Sequence, residues 1–171
     1  MFDSVLQIVV LTVFPITMVL AAFSDLFTMT VSNRLTGGLA AAFFVVAPLS
    51  GMGFETLGIH VAVCLGMLVF CIAMFAMGWV GGGDAKLIAA TALWLGPAPL
   101  IYYLVMATLV GGVMAIMLLK FRTMPLPVWA GQQPWVTRLH RADSGAPYCI
   151  ALAIGGLSAY PTSELFALAA L

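Results

Sequence analysis

The chain has 171 residues, of which 64% are hydrophobic, and carries only six basic and six acidic side chains, for zero net charge. Charged residues make up 7% of it, against about 25% in an ordinary soluble domain, and the mean hydropathy is +1.17. That composition excludes a water-facing globule, and six scattered cations exclude a nucleic-acid-binding surface, leaving a polytopic membrane protein.

In chain order, apolar runs predict spans over Val5–Phe23, Leu35–Phe54, Leu57–Val80, Leu100–Leu119 and Tyr148–Leu171, each long enough to cross a bilayer. Pro161 interrupts the last of these and marks a place where it ends or kinks. The first run follows Met-Phe-Asp-Ser, without the basic flank of a cleaved leader, and is expected to remain a span. Between the third and fifth runs lies Ala85–Leu95, whose residues rise only about 16 Å as a helix. If it crosses, Arg34, Lys86, Lys120, Arg122, Arg138 and Arg141 all fall on one side, with Asp3 and Glu55 opposite. The positive-inside rule therefore predicts six transmembrane helices, the fourth short, with both termini outside and the basic loops in the cytoplasm. The expected fold class is an all-α, polytopic membrane helix bundle, with residues 1–171 forming one membrane-embedded domain. The polar stretch 120–147 combines cations with Trp129 and Trp135, a composition suited to the headgroup level.

Acidic residues at membrane depth are functional suspects. Asp3, Glu55, Asp143 and Glu164 fall at chain ends or in connections and read as solvated charges. Asp25 closes the first span, and Asp84 opens the fourth directly after Gly81, Gly82 and Gly83. In the six-span arrangement both lie at the cytoplasmic face, where two carboxylates at a low-dielectric boundary share a proton more readily than both ionise. That is the arrangement of an aspartic protease. Three residues without Cβ would let a substrate backbone approach Asp84. The plainer reading, in which Asp84 caps the fourth helix, stays open on this motif alone.

Around these two positions, Lys86 biases the pair's ionisation, meets an acidic substrate side chain, or sits as a helix-end cation at the headgroups. Asn33 and Arg34 either order the first cytoplasmic loop or begin the second helix. His60 reads as structural, and His140 has no partner at metal-ligand spacing. Cys64, Cys71 and Cys149 contain no C-x-x-C pair, and Cys64 and Cys71, seven apart on one helix face, are expected to pack as small core residues. No metal site and no cofactor are expected.

Gly81-Gly82-Gly83-Asp84-Ala85-Lys86-Leu87 resembles the GxGD signature of the type IV prepilin peptidases. Ser24-Asp25 followed by Val31-Ser32-Asn33-Arg34-Leu35-Thr36 resembles that family's first aspartate segment. Trp135, Arg138-Leu139 and Ala146-Pro147-Tyr148, with Ala151 and Gly155-Gly156 beyond, resemble its closing loop and last helix. The chain length resembles the short peptidase-only form associated with tight-adherence (Flp) pili. Ser32 stands where that family usually has proline, and Cys149 where it has glycine; neither departure is expected to touch the aspartates. The resemblance implies cleavage of prepilin and pseudopilin leader peptides at the cytoplasmic face of the bacterial inner membrane, with Asp25 and Asp84 as the catalytic pair. It also implies no separate methyltransferase domain, since the paired cysteines of longer relatives are missing. The lipid bilayer is the other expected partner. Two readings of a different kind remain: a small channel or transporter lined by the two aspartates, and a catalytically silent pilus-assembly subunit.

Overall fold

A computed structural model describes residues 2–170, and among them the regular structure is entirely helical. The elements are α1 (Phe2–Thr28), α2 (Asn33–Leu49), α3 (Phe54–Ala76), α4 (Gly82–Leu95) and α5 (Pro97–Thr123). The short α6 (Val128–Gly131) and α7 (Pro134–His140) follow, then α8 (Cys149–Ala159), a 3-10 turn over Tyr160–Thr162, and α9 (Glu164–Ala170). The side chain of Asp3, and Leu171 at the end of the sixth apolar run, lie outside what is described.

Three helices, Ser4–Thr28, Phe54–Ala76 and Pro97–Thr123, are long and apolar enough to cross a membrane; Asn33–Leu49 and Cys149–Thr162 are shorter apolar helices. Contacts orient them alternately. The end of α1, the starts of α2 and α4, and the start of α8 meet at one end of the bundle, through Asp25, Asn33, Lys86, Asp84 and Cys149. The start of α1, the end of α2 and α9 meet at the other, around a cavity lined by Ser4, Gln7, Ser50 and Leu168.

Helix α4 is the axis of this arrangement. Every residue from Leu87 to Leu95 is buried, as is Ala85. A helix apolar all round has no solvent or lipid face and belongs inside a bundle. Its alanines at 85, 89, 90 and 92 let neighbouring helices approach closely, the usual device where no water drives helices together. Its 14 residues span about 21 Å, and its far end is packed rather than exposed. Trp94 is fully buried against Phe14, Phe43 and Tyr160, and its indole N–H donates to the Leu39 carbonyl at 2.9 Å. His60 is structural, as expected: its Nδ1–H donates to the Leu93 carbonyl at 2.8 Å and its ring stacks on Phe43.

The element boundaries depart from the apolar runs where polar groups find local partners. Helix α1 continues past Phe23 through Asp25 to Thr28, because Thr28 Oγ1 donates back to the Ser24 carbonyl at 2.7 Å and Ser24 Oγ donates to the Thr30 carbonyl at 2.8 Å. Asp25 is therefore inside the last turn of α1 rather than beyond it. Helix α2 stops at Leu49, not Phe54, since Gly51 takes a left-handed φ of 82° and turns the chain into α3. The sixth run is not one helix. It breaks at the 3-10 turn containing Pro161, and α9 packs back on α1.

Candidate active site

Local structure brings three residues to one point. Asp25 is held on the inner face of the last turn of α1 and is 7% exposed. Met29 closes that helix with a left-handed φ of 53°, a conformation that costs a side-chain-bearing residue about 1–2 kcal/mol. The chain then runs through Val31 to Ser32, whose Oγ accepts the Arg34 N–H at 3.2 Å and caps α2. Serine thus supplies a cap acceptor that proline could not. Gly81 is the N-cap of α4, and Asp84 lies in that helix's first turn, where a carboxylate faces the positive end of the helix dipole. No side chain provides the cap bond, so Asp84 is free to point elsewhere.

It points toward Asp25. One carboxylate oxygen of each aspartate and the sulfur of Cys149 lie within 4.8 Å of one another. The Cys149 main-chain N–H donates to Asp25 Oδ2 at 3.0 Å, and its thiol donates to Asp84 Oδ1 at 2.8 Å. The two carboxylates open onto a cavity of ≈ 270 Å³ whose remaining wall is Met29–Val31 and the glycine run Gly81–Gly83. A Cβ at 81 would lie 3.0 Å from Asp84 Oδ2, close enough to push that carboxylate by a few tenths of an ångström.

The expectation that the departure at Cys149 does not touch the aspartates is overturned: the residue is fully buried between them and bonds to both. Its placement at the first position of α8 leaves its N–H without a partner inside that helix, and Asp25 takes it. Nothing in the spacing of Asp25, Asp84 and Cys149 along the chain signals their meeting. The departure from glycine at 149 was the one visible clue. Two carboxylates and a thiol make a three-donor set of the kind a divalent ion accepts, though each donor is already engaged in or beside the hydrogen bonds just described.

Lys86 turns away from the pair. It is exposed, and its Nζ donates to Asn33 Oδ1 at 2.8 Å, pinning the start of α4 to the start of α2. Arg34 is exposed at the same end. The 120–147 stretch is folded rather than loose. Arg122 donates to the carbonyls of Leu139, Ser144 and Gly145, and His140 Nε2–H donates to the Met124 carbonyl. Arg138 reaches the Phe27 carbonyl at 2.9 Å, and Trp135 meets Phe27 edge-on, so α7 braces the end of α1 that carries Asp25. Arg141 and Asp143 form an exposed pair at 2.8 Å, and the guanidinium holds the Asp143 carboxyl below the usual range.

A helical membrane bundle with two facing carboxylates at one end, a glycine run beside them and an open notch is built like a membrane-embedded hydrolase. A profile of the type IV leader peptidase family matches residues 12–116, which include both aspartates and end before Cys149. The chain belongs to that family, and its activity is that of a peptidase on type IV leader peptides. No curated protein and no solved structure shows significant similarity to it.

Proposed function

We propose that this chain is an aspartic endopeptidase with Asp25 and Asp84 as its catalytic pair. In this reading the ionised carboxylate takes a proton from a water in the notch, and the resulting hydroxide attacks the scissile carbonyl carbon. The protonated carboxyl hydrogen-bonds the carbonyl oxygen as charge develops there. It then delivers its proton to the leaving nitrogen as the tetrahedral intermediate collapses, and the first carboxyl, now protonated, passes the water's proton on to the second, which restores the starting distribution of charge. Gly81–Gly83 give the substrate backbone room to lie against Asp84, and Lys86 with Asn33 fixes the mouth of the notch. Neither metal nor cofactor takes part. The observation that carries the reading is the convergence of the two carboxylates, from helices 59 positions apart in sequence, on one cavity.

The substrates in this reading are prepilins and pseudopilins of the tight-adherence (Flp) type, cut at the cytoplasmic face of the bacterial inner membrane. The transport alternative finds little support. The bundle between the aspartate end and the opposite cavity is filled by Phe14, Phe43, Trp94 and Tyr160, all fully or almost fully buried.

Co-expression with a prepilin tests the proposal on a gel. Asparagine keeps the size of aspartate but cannot accept and cycle the proton, so Asp25→Asn and Asp84→Asn are each expected to abolish cleavage at unchanged protein level. The double variant is expected to be no worse than either single one, since residues acting as a unit are not additive. Asp143→Asn removes only an exposed pair and is expected to process normally. Substantial cleavage by either single variant would sink the two-aspartate mechanism.

A further inference from the structure

Cys149 touches both carboxylates, but by two groups of different chemistry. Its main-chain N–H, facing Asp25 Oδ2 at 3.0 Å, can only donate. Its thiol, at 2.8 Å from Asp84 Oδ1, donates to an ionised carboxylate and accepts, through sulfur, from a protonated one. The contact with Asp25 therefore favours an oxygen without a proton. The contact with Asp84 survives gain and loss of one. The residue is 0% exposed, so no water competes for either bond. The N–H would be supplied by any residue but proline at this position; the thiol belongs to this chain's cysteine.

We propose that Cys149 is a positioning residue that divides the labour of the pair, holding Asp25 as the ionised base and Asp84 as the carboxyl that stores and passes the proton. This rests on the reading of Asp25 and Asp84 as the catalytic pair. Substitution to alanine leaves the N–H on Asp25 in place and removes the thiol, whose 2.8 Å bond is to Asp84 and which also lies within 4.8 Å of an Asp25 oxygen. The loss falls on the chemical step, because no substrate atom meets the buried sulfur. Serine restores a group that both donates and accepts.

The test uses the full chain in lipid vesicles with a prepilin peptide. Cys149→Ala is expected to lower kcat about ten-fold, the scale of a lost hydrogen bond to a group that becomes charged as it gives up its proton, with KM within about two-fold of the parent, the sign that only the transition state has lost support. Cys149→Ser is expected to recover most of the loss. Infrared difference spectra give a readout independent of turnover. The protonated-carboxyl band is expected to vanish in Asp84→Asn, persist in Asp25→Asn, and shift frequency in Cys149→Ala. If Cys149→Ala does not accumulate, Cys149→Gly removes the same thiol and keeps the N–H, with the same expectation. An alanine variant with parental kcat, a serine variant no better than alanine, or a band lost with Asp25 instead of Asp84 would each overturn the proposal. Cleavage by Asp84→Asn would instead remove the catalytic pair on which it stands.

Discussion

At the scale of single residues the site is governed by what glycine leaves out. Gly81 and Gly53 do the same structural task, each capping a helix with extended backbone and no side-chain bond, at φ −69° and −65°. Their surroundings differ. A Cβ at 53 meets nothing within 4 Å, whereas one at 81 lies 3.0 Å from Asp84 Oδ2. Alanine costs both helices the same small capping preference, so any difference between the variants isolates the push on Asp84. Gly81→Ala is expected to cut prepilin cleavage on the order of ten-fold at near-parental protein level, as displacing a reacting group by a fraction of an ångström does. Gly53→Ala is expected to cleave normally, and equal activities would show that the contact is irrelevant. The same scale shows where sequence reading runs out. Asp25, Asp84 and the glycine run stand out because charge and missing side chains are conspicuous in an apolar chain. Cys149 does not, since a cysteine that bridges two carboxylates has the same composition signal as one that fills a gap.

Among the elements, apolar run length predicted that six long or short apolar helices exist, and placed α4 correctly between two glycine-containing turns. It missed the ends. Runs of hydropathy stop where polar residues begin, whereas α1 extends through Ser24, Asp25 and Thr28 because its backbone and hydroxyls satisfy one another. Nor did hydropathy separate α8 from α9, both apolar, although Pro161 marked the break. The burial of α4 on every side was likewise hidden, because lipid-facing and bundle-facing apolar residues read alike. The contact that seats α8, and with it Cys149, is made by Gly155. A Cβ there would lie 2.9 Å from the Ala107 nitrogen and 3.0 Å from the Tyr103 carbonyl oxygen, both backbone atoms of α5 that have no rotamer by which to move. Gly155→Ala is therefore expected to separate the two helices and cost about 1–3 kcal/mol, read as a lowered midpoint in thermal unfolding. Gly112→Ala, on α5 where nothing lies within 4 Å, is the control and is expected to be neutral or slightly stabilising, as alanine is the better helix former.

For the whole molecule, the distribution of charge predicts an orientation for the two-ended bundle. Lys86 is bonded to Asn33, Arg138 to the end of α1, and Arg122 to the stretch following α7, while Arg34, Lys120 and Arg141 lie on the same terminal segments. All six cations thus gather at the end that holds Asp25 and Asp84, with exposed Trp79 and Trp129 beside them. Glu55, at the start of α3, and Glu164, at the start of α9, occupy the other end. Cations next to spans resist translocation, so this end is expected in the cytoplasm and the pair with it, on the side where a prepilin is made. The arrangement depends on α4 as a crossing of only 14 residues. Such a helix is shorter than the hydrocarbon core of about 30 Å, and it is tolerable because neighbouring helices, not lipid, surround it from Leu87 to Leu95. Reporter fusions at Gln132, between α6 and α7, and at Glu55 are expected to fall on opposite sides, with Gln132 cytoplasmic. Were both to report one side, α4 would be a re-entrant segment, and the end of the bundle carrying the two aspartates would have to be assigned afresh.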